Sequence, residues 1–138
     1  MKTLLENDVF LKVHVFQSQP LIDIRHYPGG YANKKGASLT PSRWMLLIDH
    51  IDVIDQKLEE VAKGVENVKF KVHLGNNIYA TIASPYPILD IRQSFMAGNK
   101  LVCTTRGVGL RRPGWLNLKR LIGQIQNTIP VTISNTIY

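Results

Sequence analysis

Apolar and polar residues alternate along the first part of each half of this chain and then fall into helical stripes. From Val9 to Gln17, Val9, Leu11, Val13 and Val15 alternate with Phe10, Lys12, His14 and Phe16, the period-two pattern of a half-buried strand. Leu21 to Tyr27 reads as a second strand. One face carries Leu21, Asp23, Arg25 and Tyr27, the other Ile22, Ile24 and His26. Gln17-Ser18-Gln19-Pro20 and Pro28-Gly29-Gly30 are turn signals, and Tyr31 to Leu39 suits an irregular arm with a short strand. Thr40 is a natural N-cap, with Pro41 suited to the first helical position. The stripe Trp44, Leu47, Ile48, Ile51, Ile54, Leu58, Val61 then keeps helical spacing down to Gly64. Asp49, Asp52, Asp55, Glu59 and Glu60 lie off it, on a solvated face or a partner surface.

The second half repeats this order. Strands are expected over Val68–Leu74, Ile78–Ala83, Ile88–Phe95 and Lys100–Thr105. Their turns are Gly75-Asn76-Asn77, Pro85-Tyr86-Pro87 and Ala97-Gly98-Asn99. A helix follows from Arg112 to about Thr128, with Trp115, Leu118, Leu121, Ile122 and Ile125 on one stripe. Val131 to Tyr138 reads as a last strand or an ordered tail.

The residues themselves also recur. Ile22-Asp23-Ile24-Arg25 returns as Leu89-Asp90-Ile91-Arg92, 67 positions on. Pro20 and Pro87 precede the two copies; Lys35-Gly36 and Arg106-Gly107, Leu39 and Leu110, and Trp44 and Trp115 follow them. Ordered landmarks at one long period mean two copies of a small module. The expected class is therefore α+β, with tandem modules at 1–66 and 67–138 forming one compact unit. Each would be a curved antiparallel sheet followed by one helix, the two pairing within the chain as a pseudo-dimer. One sheet face packs under the helix and the other stays open.

Charge sharpens the picture. Residues 1–67 hold 8 Lys+Arg and 9 Asp+Glu, whereas residues 68–138 hold 9 Lys+Arg and a single acid, Asp90. The net charge of +7 thus comes from the second half. Such asymmetry points to a polyanion, nucleic acid first and an anionic membrane second. No apolar run reaches the ~20 residues of a membrane span. Met1 to Asp8 has no stretch long enough for a signal peptide, and the single Cys103 suits a reducing compartment. An intracellular location is expected, in a nucleus or at a viral replication site.

The run Leu21-Ile22-Asp23-Ile24-Arg25-His26-Tyr27, followed by Lys35-Gly36-Ala37-Ser38-Leu39-Thr40-Pro41-Ser42-Arg43-Trp44 and Ile51-Asp52-Val53-Ile54-Asp55, resembles the C-terminal domain of the eukaryotic transcriptional coactivator positive cofactor four. That family shows Ile-Asp-Ile-Arg-Glu-Tyr, then Lys-Gly-Ile-Ser-Leu, then Pro-x-x-Trp opening a helix. The likeness covers about residues 10–60, and residues 77–127 look like a degraded second copy in which Arg111-Arg112-Pro113-Gly114-Trp115 replaces the helix start. It implies a sheet-plus-helix fold, homodimers imitated here within one chain, and binding of single-stranded or melted DNA. Carried over, the DNA-contacting positions are Arg25, Lys35 and Phe16, and in the second copy Arg92 and Arg106. Ala83 falls at the second aromatic position, and Pro28 stands where the family has a tryptophan.

The residues support the same surface on their own terms. Asp23 and Arg25 share a strand face, as do Asp90 and Arg92, so one acid can brace each arginine and leave donors for phosphate or a base. Lys34, Lys35, Arg106, Arg111 and Arg112 cluster before the helices, whose N-termini favour phosphate, and Lys100 joins them. Phe16 and Tyr27 sit near strand ends, where a ring can stack a base. Trp44 and Trp115 belong to the core stripes. His14, His26, His50 and His73 show no metal spacing with Cys103, and no phosphate-loop or nucleophile pattern occurs, so neither enzyme activity nor a cofactor is expected. The function expected is low-specificity single-stranded DNA binding in transcription, replication or repair, by a monomeric pseudo-dimer or a higher self-associated form. Two alternatives stay open: a protein-interaction module whose acidic face at residues 49–60 recruits a polymerase or activator, and RNA binding.

Overall fold

The computed structural model describes residues 1–129. The last expected strand, 131–138, lies outside them. The architecture is α+β, with two four-stranded antiparallel sheets and four helices. The first sheet comprises β1 (Lys2–Glu6), β2 (Val9–Phe16), β3 (Gln19–His26) and β4 (Gly36–Leu39), in that order. Helices α1 (Pro41–Asp49) and α2 (Ile51–Ala62) follow it. The second sheet comprises β5 (Lys69–Gly75), β6 (Ile78–Ala83), β7 (Tyr86–Ala97) and β8 (Lys100–Arg111), followed by α3 (Arg112–Arg120) and α4 (Ile122–Thr128). No helix among the described residues is long and apolar enough to cross a membrane.

Several expected boundaries shift. β1 was not expected, because Lys-Thr-Leu-Leu-Glu is too short to show a period. Its pairing of Lys2 with Lys12 matches that of Lys71 with Thr81, and each first hairpin carries a ladder irregularity just before its turn. Asn7, Asn76 and Asn77 hold positive φ in those turns, which asparagine tolerates. The second turn is only Gln17-Ser18, both at positive φ; Gln19 and Pro20 already pair with Phe16 and Val15. Likewise Tyr86 pairs with Ala83, so the Pro85-Tyr86-Pro87 turn is confined to Ser84 and Pro85. β8 continues to Arg111 rather than ending near Thr105.

Neither half has the single expected helix. At His50 the backbone leaves helical geometry (φ −104°, ψ 15°), and its N–H bonds Leu47 O three residues back. The His50 ring takes the Leu46 carbonyl at 2.6 Å through Nδ1. Leu121 N–H bonds Leu118 O in the same i−3 fashion. Tightened turns of this kind bend a helix path. The bends let each helical stretch reach beyond its own sheet. α1 touches β3, β4 and β5; α2 lies on β5, β6 and β7; α3 packs on β1, β7 and β8. The second sheet is thus covered largely by α2 of the first half, while the first sheet is covered by its own α1 together with α3 of the second half.

One apolar cluster results, running from Leu5, Leu11, Ile22 and Ile24 through Trp44, Leu47 and Ile54 to Ile82, Leu89, Ile91, Trp115 and Ile125. Both tryptophans are buried, as their stripes predict. Thr40 caps α1 by accepting from Arg43 N at 3.4 Å. Arg111 offers α3 no side-chain cap; Glu6 from the first sheet accepts from Arg111 N at 2.8 Å, and its carboxyl fills the space over Gly114. It does from another strand what the third residue of a capping box does locally. Asp55 of α2 accepts from Trp115 Nε1 at 2.7 Å and from Lys119 Nζ at 2.9 Å, while Arg112 pairs with Glu59 at 2.7 Å.

Trp115 is 2% exposed, so removing its acceptor strands a buried donor. Asp55→Ala should cost about 1–3 kcal/mol, whereas Glu59→Ala, at a more exposed pair, should cost under about 1 kcal/mol. Urea unfolding of the two variants measures the difference; equal small losses would contradict the role given to Asp55.

Candidate nucleic-acid interface

The strand pleat decides which side chains reach the uncovered sheet faces. On the first sheet the outward set is Lys2, Leu4, Phe10, Lys12, His14, Phe16, Leu21, Asp23, Arg25, Gly36 and Ser38, since their partners sit directly opposite one another. At its centre Arg25 is clamped. Its Nε and NH2 donate to the two Asp23 carboxylate oxygens at 3.0 and 2.9 Å, and NH1 donates to Asn33 O at 2.8 Å. Asp23, 4% exposed, also accepts from Ser38 Oγ at 2.6 Å. Hydrogen bonding to Asp23 raises the Arg25 pKa, against the opposing effect of burial. The Arg25 side chain stays 22% exposed, and two of its five N–H groups remain uncommitted.

The same constellation stands on the second sheet. Arg92 donates to Asp90 through Nε at 3.0 Å and NH2 at 2.8 Å, and through NH1 to Thr104 O at 2.8 Å. Hydrogen bonding to Asp90 raises its pKa too. Asn33 Oδ1 accepts from Lys35 N at 2.9 Å, and Thr104 Oγ1 accepts from Arg106 N at 3.0 Å. The β3–β4 loop and the irregular part of β8 therefore each fix one exposed cation, Lys35 or Arg106, beside the clamp. The next position in each half is crowded. A Cβ on Gly36 would lie 2.7 Å from Arg25 Cβ and Ile24 O, and one on Gly107 would lie 2.7 Å from Arg92 Cγ and Cζ. The basic-residue-plus-glycine step of the sequence thus has a steric cause.

A further row joins the clamps that the sequence reading did not single out. Lys2 Nζ sits 4.9 Å over Phe10 and 3.9 Å over Tyr27, and Phe10 meets Tyr27 edge-on at 5.4 Å. Lys71 Nζ sits 4.5 Å over Tyr79, which stacks on His73 at 4.6 Å. Phe10 pairs with Arg25 and Tyr79 with Arg92, so lysine, ring and arginine line up in both sheets. The signal was present: a lysine with an aromatic eight positions on, Lys2/Phe10 and Lys71/Tyr79. It repeats at 69 rather than 67 positions because the β6–β7 hairpin is two residues shorter than β2–β3. By ladder position Ala83 therefore answers to His14, and Phe16 has no counterpart.

The remaining expected residues separate. Phe16 is 58% exposed at the tip of β2–β3. Tyr27 is only 9% exposed, held under Lys2 and against Phe10, and its burial raises its pKa. Lys34, Lys100 and Arg106 are exposed. Arg111 and Arg112 instead line a groove of about 860 Å³ between α2, α3 and the start of β7, with Arg112 paired to Glu59. Apart from the two clamps, the ion pairs of the described residues involve helix-side cations: Lys57, Lys63, Arg112 and Lys119. Lys2, Lys12, Lys35, Lys69, Lys71 and Arg106 have no acidic partner there, so uncompensated positive charge collects on and beside the open faces. Among the described residues no His, Cys, Asp and Glu group could hold a metal ion. In comparisons with known proteins, no family model, curated protein or solved structure matches this chain.

The two glycines predict different outcomes. Gly36→Ala would press on backbone and should destabilise the protein by about 1–3 kcal/mol. Gly107→Ala meets Arg92 Cγ, Cζ and Cβ but no backbone atom, and should cost less. Denaturant midpoints compare them; a costlier Gly107→Ala would contradict this reading of the clamps.

Proposed function

We propose that this chain is a single-stranded-DNA-binding protein of low sequence specificity, acting in transcription, replication or repair at melted DNA. In this reading it is built like positive cofactor four, with two such modules paired within one polypeptide, and it works in a nucleus or at a viral replication site. The observation that carries the proposal is the duplicated clamp: on each open sheet a braced arginine keeps two donors, and a local side-chain bond to the backbone holds an unpaired cation beside it. Phosphates would bridge the uncommitted guanidinium donors and Lys35 or Arg106. Bases would stack on Phe16, the exposed ring at the β2–β3 tip of the face that carries the first clamp, with Phe10 and Tyr79 beside the two arginines. No helix is offered for the major groove, so single strands are favoured over duplex. RNA is the competing ligand, because nothing on these faces selects for or against a 2′-hydroxyl.

One observation favours a second reading, a protein-interaction module. The helix-side groove has an apolar lining of Leu58, Pro87, Ile88 and Trp115, flanked by Tyr86 at 66% and Leu116 at 43% exposure. The acidic face that would recruit a basic partner is partly neutralised within the chain, since Asp55 and Glu59 already hold Lys119 and Arg112.

The cleanest test spares the clamps. Arg25→Ala would leave the Asp23 carboxylate buried and unpaired, confusing misfolding with lost contact. Lys35→Ala/Arg106→Ala removes only exposed cations. Fluorescence anisotropy on oligothymidine, duplex DNA and single-stranded RNA at several salt concentrations should show single-strand affinity that falls with salt. The double variant should bind oligothymidine at least about tenfold more weakly, with the log–log salt slope reduced by roughly 1.4. Wild-type affinity in the double variant, or no oligothymidine binding at all, would overturn the proposal.

A further inference from the structure

The β7–β8 hairpin departs from the rest of the fold. Both strands run to 12 residues, and past a ladder irregularity at Arg92–Ser94 they continue as a two-stranded arm to the turn at Gly98-Asn99. By strand rise the arm projects roughly 15 Å. Its root is fixed, with Ser94 N bonded to Asn77 O at 2.8 Å and Gln93 Nε2 to Asn76 O at 2.7 Å. Phe95 pairs with Val102 and Met96 with Leu101, so both faces of the arm are apolar. None of these four packs against the core cluster, and Phe95 and Met96 are 50% and 53% exposed.

An apolar ribbon in water calls for an occupant. No acid follows Asp90 anywhere in the chain, and Lys100 and Arg106 flank the arm at its tip and root. Like charge disfavours a second copy of this arm and favours a polyanion. Exposed Phe and Met on a basic projection are the side chains that proteins insert between base steps to unstack them. We propose that the β7–β8 arm is a wedge that seats where duplex opens into single strand, Phe95 on one face capping the last base pair and Met96 on the other meeting the separated strand, while the adjoining sheet takes the unpaired strand. This rests on the single-strand reading above and adds junction selectivity, supplied by one half of the chain only: the corresponding β3–β4 connection has a 3₁₀ turn, Pro28–Gly30, and no paired arm.

The test compares wild type with Phe95→Ser/Met96→Ser on three probes: oligothymidine, a blunt duplex, and a forked duplex whose single-stranded tails match the oligothymidine in length. Both side chains are solvent-exposed, so the variant should fold, and circular dichroism checks that it does. Wild type should prefer the fork over the matched single strand by about tenfold. The variant should lose that preference while holding oligothymidine within about twofold of wild type. Oligothymidine binding without a fork preference in wild type, or a preference that survives the substitutions, overturns the wedge alone. Absence of all oligothymidine binding overturns the single-strand reading itself and the wedge with it. A dimer by light scattering that the substitutions convert to monomer would assign the arm to self-association instead.

Discussion

Everything in this fold follows from how the inner faces of the two sheets are covered. Each four-stranded sheet has one apolar face, and an isolated sheet with a bare apolar face is not stable in water. The helices that follow each sheet bend and reach the other one: α2 closes over β5 to β7, and α3 settles on β1. The apolar surface is therefore buried jointly, in one cluster to which both halves contribute. The contacts that lock this exchange are polar and unequal. Glu6 serves the start of α3, where Gly114 leaves room; across the molecule Gly75 leaves room for Arg43 at the start of α1. Asp55 and Glu59 on one helix meet Lys119 and Arg112 on another. Such pairs fit unlike halves better than like ones.

With all four helices used on the inside, the outer sheet faces have nothing to cover them. They are polar enough to stay wet, and each carries a fully braced arginine. A carboxylate at 4% exposure next to an arginine is costly to bury unless well satisfied, and Asp23 is, with Arg25 and Ser38 as donors. Asp90 holds its arginine without the serine, because Gly109 stands opposite, and it is correspondingly more open at 30%. The bracing fixes each guanidinium plane and leaves its outer edge facing solvent. Rigid donors beside unpaired cations suit a ligand of repeated negative charge and little fixed shape.

The sequence made the larger units legible. Period-two runs located β2, β3, β5 and β6, and helical stripes located the helices, because both are set by simple burial on one side. The Thr40-Pro41 start was readable because capping is local. What escaped depended on distant partners. β1 is short and is defined by its pairing with β2. The breaks at His50 and Leu121 fall where each helical stretch passes from one packing partner to the next. Asp–Arg adjacency on one strand face was visible from i, i+2 spacing, but the third bond of each clamp comes from a loop carbonyl, Asn33 O, or from Thr104 O at a ladder irregularity of β8, and no local rule specifies either path. The lysine–aromatic rows were hidden by a two-residue difference in hairpin length, which moved the apparent equivalence from Phe10 and Tyr79 to Phe16 and Ala83. Tyr27, expected at the surface from its place at a strand end, was drawn under Lys2 by a strand that had not been foreseen.

The central claim is that an unpaired nucleic-acid strand lies on the outer sheet faces rather than against the helices. Photo-crosslinking the intact protein to iodouracil-substituted oligothymidine, with the modified peptides identified by mass spectrometry, tests it most directly. Crosslinks should fall in the peptides carrying Phe10, Phe16, Lys35, Tyr79 and Arg106. Crosslinks confined to the helix-side groove, at Tyr86, Trp115 or Leu116, would contradict the account.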